Sequence, residues 1–151
     1  MKILSLKLIS NKLKNTNISS LNAAASLLHE GIHAELFRFV DQAHNGEVDS
    51  NDRERLLFLY GFYKQLGWDD VDIPGQAQHD YMAENYVEPI ARAIRELDNN
   101  RYPLNYYMGF GWDGLRGYGY QGILSDEESD EFYRLQDIVN ENTTFNPQNC
   151  N

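Results

Sequence analysis

A predominantly helical α+β domain with a small N-terminal β element is the fold class this sequence predicts, and three observations predict it. Apolar residues recur at helical spacing over several long stretches, and residues 3–8 alternate instead as a half-buried strand does. A length of 151 residues suffices for one hydrophobic core but hardly for two. The expectation is a single domain over 1–151 built around one site.

In chain order, Ile3, Leu4, Leu6 and Leu8 give the strand, with Lys2, Lys7, Lys12 and Lys14 placed as charges that flank an edge. A polar connection over 15–20 ends at Ser19 and Ser20, either of which can cap a helix. Leu21, Ala24, Ala25, Leu28, Ile32 and Leu36 then repeat on one helical face to near Val40. Asn45-Gly46 marks a loop over 44–51, and a second helix follows over 52–66, with Leu56, Leu59, Tyr60 and Tyr63 as its buried stripe and Gly67 as its end. Asp69, Asp70, Asp72 and Pro74 make 68–75 a loop. A third helix is expected over 77–97, kinked or broken one turn before Pro89. Six glycines from Gly109 to Gly122 predict loop or tight turn, and a last helix runs over 126–139.

Composition removes several function classes. With 13 Lys+Arg against 23 Asp+Glu, the formal charge is -10, and no basic stripe is available to neutralise a phosphate backbone, so nucleic acid is not an expected partner. An acidic chain steers basic or neutral substrates more readily than acidic ones. No apolar run reaches membrane-spanning length, and the apolar N-terminus, interrupted by Lys7, lacks a small-residue cleavage site. The expected setting is therefore cytoplasmic, with no membrane partner. The single cysteine, Cys150, leaves no internal disulfide and no thiolate metal site, so any metal must be held by histidine and carboxylate.

Residues 29–33 read His-Glu-Gly-Ile-His within the first predicted helix. Four residues are about one helical turn, so the imidazoles of His29 and His33 lie on one face and can reach the same Zn2+ ion. A water on such an ion is acidified, and Glu30, beside the first ligand, is placed to act as general base and then to return the proton to a leaving group. The competing interpretation is two surface histidines with Glu30 as an ordinary helix charge; the apolar periodicity around the motif argues against it.

Zinc needs a third protein ligand. His44 lies beyond the expected end of the helix next to a turn, which leaves His79 as the favoured ligand and Glu84 as its carboxylate rival. Asp80 and Glu35 are the candidates to orient a ligand imidazole from behind, although Asp80 also sits where a helix start favours negative charge.

The stretch Ser26-Leu27-Leu28-His29-Glu30-Gly31-Ile32-His33-Ala34-Glu35 resembles the metal helix of the zincin metallopeptidases, and more narrowly that of the SprT-like group of bacterial zinc peptidases. His79-Asp80-Tyr81-Met82-Ala83 looks like a third-ligand segment of that group. The resemblance implies peptide-bond hydrolysis of a peptide or protein substrate by a zinc-activated water. Zincins place a small sheet before the metal helix, where an edge strand aligns the peptide. Fewer than about twenty residues precede the helix here, which suits either a reduced variant or the C-terminal part of a longer protein.

Two matches to G-x-G-x-x-G, over 109–114 and 117–122, neither follow a buried strand nor open a helix, so they are read as glycine-rich loop. Tyr106, Tyr107 and Trp112 are candidates to wall a cleft. The expectation from sequence is thus a zinc-dependent hydrolase, with a non-catalytic zincin-like binding or interaction domain as the alternative.

Overall fold

The computed structural model describes residues 19–119 and 124–142. They form six α-helices joined by turns: α1 (Ser20–His44), α2 (Glu54–Gln65), α3 (Ile73–Asn85), α4 (Val87–Leu97), α5 (Met108–Trp112) and α6 (Asp126–Glu141), with 3₁₀ turns at Ser50–Arg53 and Leu104–Tyr107. No strand occurs among the described residues, so the expected α+β class is corrected to all-α. The β expectation rested on residues 3–8 alone, which lie outside the described residues. Every other apolar period in the chain was helical.

Ser19 caps α1 by accepting the Asn22 N–H at 3.2 Å, and its hydroxyl donates to Asn140 of α6 at 2.5 Å. One residue therefore both starts α1 and ties it to the last helix. Helix α1 runs to His44, about one turn beyond the expected end near Val40, because Phe39 is still buried and Gly46 at φ +71° supplies the turn. Helix α3 starts at Ile73 rather than 77. Pro74 falls in its first turn, where the missing N–H costs nothing, so the proline opens the helix instead of excluding it. As expected from Pro89, the chain breaks one turn earlier, at Tyr86, which separates α3 from α4.

Leu21 and Ala25 of α1 pack with Ile90, Ala91 and Ile94 of α4, with Tyr107 and Phe110, and with Val139 of α6. Leu36 and Phe39 extend the core toward Leu56, Met82, Ala83, Val87, Trp112 and Leu115. Helix α1 is thus held along its length, and α3 lies against its middle. Helix α6 carries a capping box, in which Glu128 N–H donates to Ser125 Oγ and the Glu128 carboxylate accepts the Ser125 N–H at 3.1 Å. The Asp98 carboxylate, almost fully buried, accepts from Tyr107 at 2.6 Å and from Arg101 at 2.9 Å. Burial and that neighbouring carboxylate push the Tyr107 phenol up to about 12.

The glycines at 109 and 111, expected from sequence to be loop or tight turn, instead lie in α5 and are buried. Their absent side chains allow close helix packing: a Cβ at Gly109 would sit 2.7 Å from Phe132 O, and one at Gly111 would sit 2.2 Å from Val87 O. Both obstacles are backbone and cannot rotate away. Gly111→Ala is expected to destabilise the fold by about 3 kcal/mol or more, at the upper end of overpacking costs. Gly61→Ala, whose Cβ meets nothing within 4 Å in α2, should instead be neutral or stabilising by up to ~1 kcal/mol. Urea midpoints of the two variants test the contrast; equal midpoints would contradict the packing role.

Candidate metal centre

His29 and His33 are one turn apart on α1, and their Nε2 atoms lie 3.1 Å from each other, with the rings nearly edge-on at 65°. His79 reaches them from the middle of α3, its ring centroid 4.6 Å from that of His33 and 5.5 Å from that of His29. One nitrogen from each of the three rings falls within 4.8 Å of the others. Two nitrogens bonded to one tetrahedral zinc are roughly 3.3 Å apart, from Zn–N distances of about 2.0–2.1 Å. The His29–His33 pair already has that spacing. Three imidazoles are also the donor set of a catalytic zinc site, which keeps one position open, so the residues present fit the ion.

The distal side of His33 is fixed by a hydrogen-bond chain. Its Nδ1 lies 2.7 Å from Gln78 Oε1, an acceptor, an arrangement that suits the tautomer with the proton on Nδ1 and the lone pair on Nε2. The Gln78 amide N–H₂ in turn donates to the Tyr60 hydroxyl at 2.9 Å. Gln78 is 4% exposed, and burial raises the Tyr60 phenol above its ordinary pKa despite the opposing bond from Gln78.

The segment after α5 closes over the other two rings. Gly114, at φ +78°, lies against His29, where a Cβ would come 3.1 Å from the imidazole Cε1. Glycine is required there twice over, for the left-handed backbone and for the close approach. Tyr118 lays its ring on His79 at 4.4 Å, between Gly117 and Gly119, which both have positive φ. Gly119 N–H donates to Asp80 Oδ1 at 2.7 Å, so α3 itself anchors the segment that covers its histidine.

Burial lowers the His79 pKa to about 4, aided by repulsion from His33 and His29 and opposed by Asp80. His29 is lowered as well, by burial and then His33, against the attraction of Glu30 and Asp113. Both therefore favour the neutral imidazole, the form that binds metal. In the metal-free protein the unfolded chain takes up a proton at His79 near pH 6.5, whereas the folded chain resists until about 4. Stability should therefore fall as pH drops through that window and level off below it. Urea midpoints at stepped pH values test this, with His79→Gln expected to lose that part of the slope; identical slopes would refute the assignment.

The other sequence candidates have different employment. Glu84 is held by a two-pronged ion pair with Arg55, at 2.6 and 2.9 Å, and is not among the three clustered ligands. Glu35 pairs with Arg53. Asp80 accepts from Tyr63 and Gly119 rather than from an imidazole. The bond expected from Glu35 or Asp80 is made to His33 by Gln78, which no residue pattern singles out over its charged neighbours. Among the aromatic candidates, Tyr107 and Trp112 are buried in the core and Tyr106 stacks on Tyr102 at 5.0 Å, while the ring against the site is Tyr118. Glycines on both sides of Tyr118 were the signal that it sits in a tight turn. His44 ends α1 and stands apart from the cluster. Glu30 follows His29 on α1, half-buried, and its charge is felt by the His29 ring. No helix among the described residues is long and apolar enough to cross a membrane.

Comparison of the chain with protein-family models, with curated proteins and with solved structures returned no match.

Proposed function

We propose that the chain is a zinc-dependent hydrolase acting on peptide bonds, with Zn2+ held by His29, His33 and His79 and with Glu30 as the general base. The observation that carries this reading is the convergence of three imidazoles, two from one turn of α1 and one from α3, on a space the size of one ion. When bound there, zinc lowers the pKa of water toward ~7 and polarises a carbonyl. The chain supplies the rest. His33, locked by Gln78, offers a fixed lone pair, and burial keeps His29 and His79 neutral. Glu30, next in sequence to a ligand, accepts a proton from the attacking water and returns it to the leaving nitrogen. The segment over 113–119 covers two of the three rings and restricts solvent on that side.

The resemblance of 26–35 to the metal helix of the SprT-like zinc peptidases supports a peptide or protein substrate, and the net charge of -10 supports basic or neutral ones. A cytoplasmic setting belongs to the same proposal. The test is to load the protein with zinc, challenge it with unfolded proteins and a peptide library, and repeat with a chelator. Chelator-sensitive cleavage is the expected result. Stoichiometric zinc without cleavage of any substrate would favour a non-catalytic, zincin-like binding or interaction domain instead, and failure to bind zinc would remove the hydrolase reading.

A further inference from the structure

We propose that Gln78 is a positioning residue that locks His33 in its metal-ready tautomer, and that Tyr60 acts through Gln78 by holding its amide side chain in place. The inference rests on the zinc reading and adds what makes the site competent before the ion arrives.

A glutamine is an ambiguous partner for an imidazole, since its two ends are nearly the same shape but opposite in polarity. With Oε1 at His33 Nδ1, the ring proton is on Nδ1 and the Nε2 lone pair is free for metal. With the amide reversed, the N–H₂ would face Nδ1, Nδ1 would have to be the acceptor, and the proton would move to Nε2. That proton would point at His29 Nε2, 3.1 Å away, and block coordination. In the structure both ends of the amide are engaged, Oε1 at His33 Nδ1 and the N–H₂ donating to the Tyr60 hydroxyl at 2.9 Å, which steadies the side chain. The convergence of three ring nitrogens on one space disfavours a proton on His33 Nε2.

The arrangement is special to His33. The corresponding nitrogen of His29, Nδ1, is buried with no hydrogen-bond partner among the described residues, and His79 is held by ring contact with Tyr118. His33 is therefore the anchor of the cluster. A neutral amide in place of a carboxylate also adds no negative charge, which leaves the full cationic character of the ion for substrate.

The test measures zinc affinity by competition with a chromogenic chelator at mildly alkaline pH, and the His33 tautomer by ¹⁵N NMR of the metal-free protein. Gln78→Leu should weaken zinc by about 10–100-fold and mix the two tautomers. Gln78→Glu, which restores an acceptor, should stay within a few-fold of wild type, and Tyr60→Phe should fall between them. A folded Gln78→Leu protein with wild-type affinity and a single tautomer would overturn the proposal. So would a wild-type His33 protonated on Nε2, a measurement that remains decisive if Gln78→Leu does not fold. If the wild-type protein binds no zinc, the metal reading fails, and the His33 tautomer compared between wild type and Gln78→Leu still decides whether Gln78 fixes the ring.

Discussion

Purified with zinc available, the His79→Ala protein should retain little of the metal, whereas Glu84→Ala should keep the wild-type stoichiometry. Structural zinc sites with four ligands bind with about 10–16 kcal/mol, so one ligand is worth roughly 2.5–4 kcal/mol, or on the order of a hundred- to a thousand-fold in affinity. A site reduced to His29 and His33 would release zinc to any competing chelator at micromolar concentration. Two observations make His79 separable from Glu84, only five positions along the same helix. The His79 ring is 4.6 Å from His33, while the Glu84 carboxylate is engaged by Arg55 through two hydrogen bonds. Removing Glu84 should therefore cost Arg55 this one ion pair at a partly exposed position, a loss of about 1 kcal/mol that would show in a urea midpoint and not in metal content. The reverse pattern, zinc lost with Glu84→Ala and kept with His79→Ala, would require a different ligand set.

Residues that fix the site and residues that fix the fold were legible in the sequence to different degrees. The His29/His33 pair and the helix that bears it follow from spacing alone, because helical geometry is local and the motif sits inside a strong apolar period. His79 could be favoured by elimination, since only two other histidines exist, but its meeting with α1 is a tertiary fact. Gln78 was invisible because a neutral amide next to a histidine and an aspartate carries no sequence signal; only the approach of α2, which brings Tyr60, gives it a role. The helix over Met108–Trp112 was missed for a related reason. Glycine reads as a breaker from propensity, yet here α4 and α6 come so close that nothing larger fits, and packing overrides propensity. The strand expected over 3–8 lies outside the described residues, and the correction to all-α rests on the described ones, where the apolar periods are helical.

Glu30→Gln is expected to bind zinc as the wild type does and to lose hydrolysis by at least about 10²–10⁴-fold, the usual contribution of a general base. The two side chains have the same shape, so α1 and the positions of His29 and His33 should be preserved, but an amide cannot accept a proton from water near neutral pH. Zinc affinity should change only modestly, because Glu30 acts on the His29 ring through charge rather than as one of the clustered donors. The effect should fall on kcat with KM little altered, since a proton acceptor matters in the transition state and hardly in the bound ground state. Glu30→Asp, which keeps the carboxylate but shortens its reach, should recover part of the rate. A merely structural role for Glu30 predicts something else: Gln and Asp would lower the urea midpoint together, and activity per folded molecule would remain. Full activity in a zinc-loaded Glu30→Gln protein would assign the base to another group, and the half-buried carboxylate beside His29 would then need a different explanation.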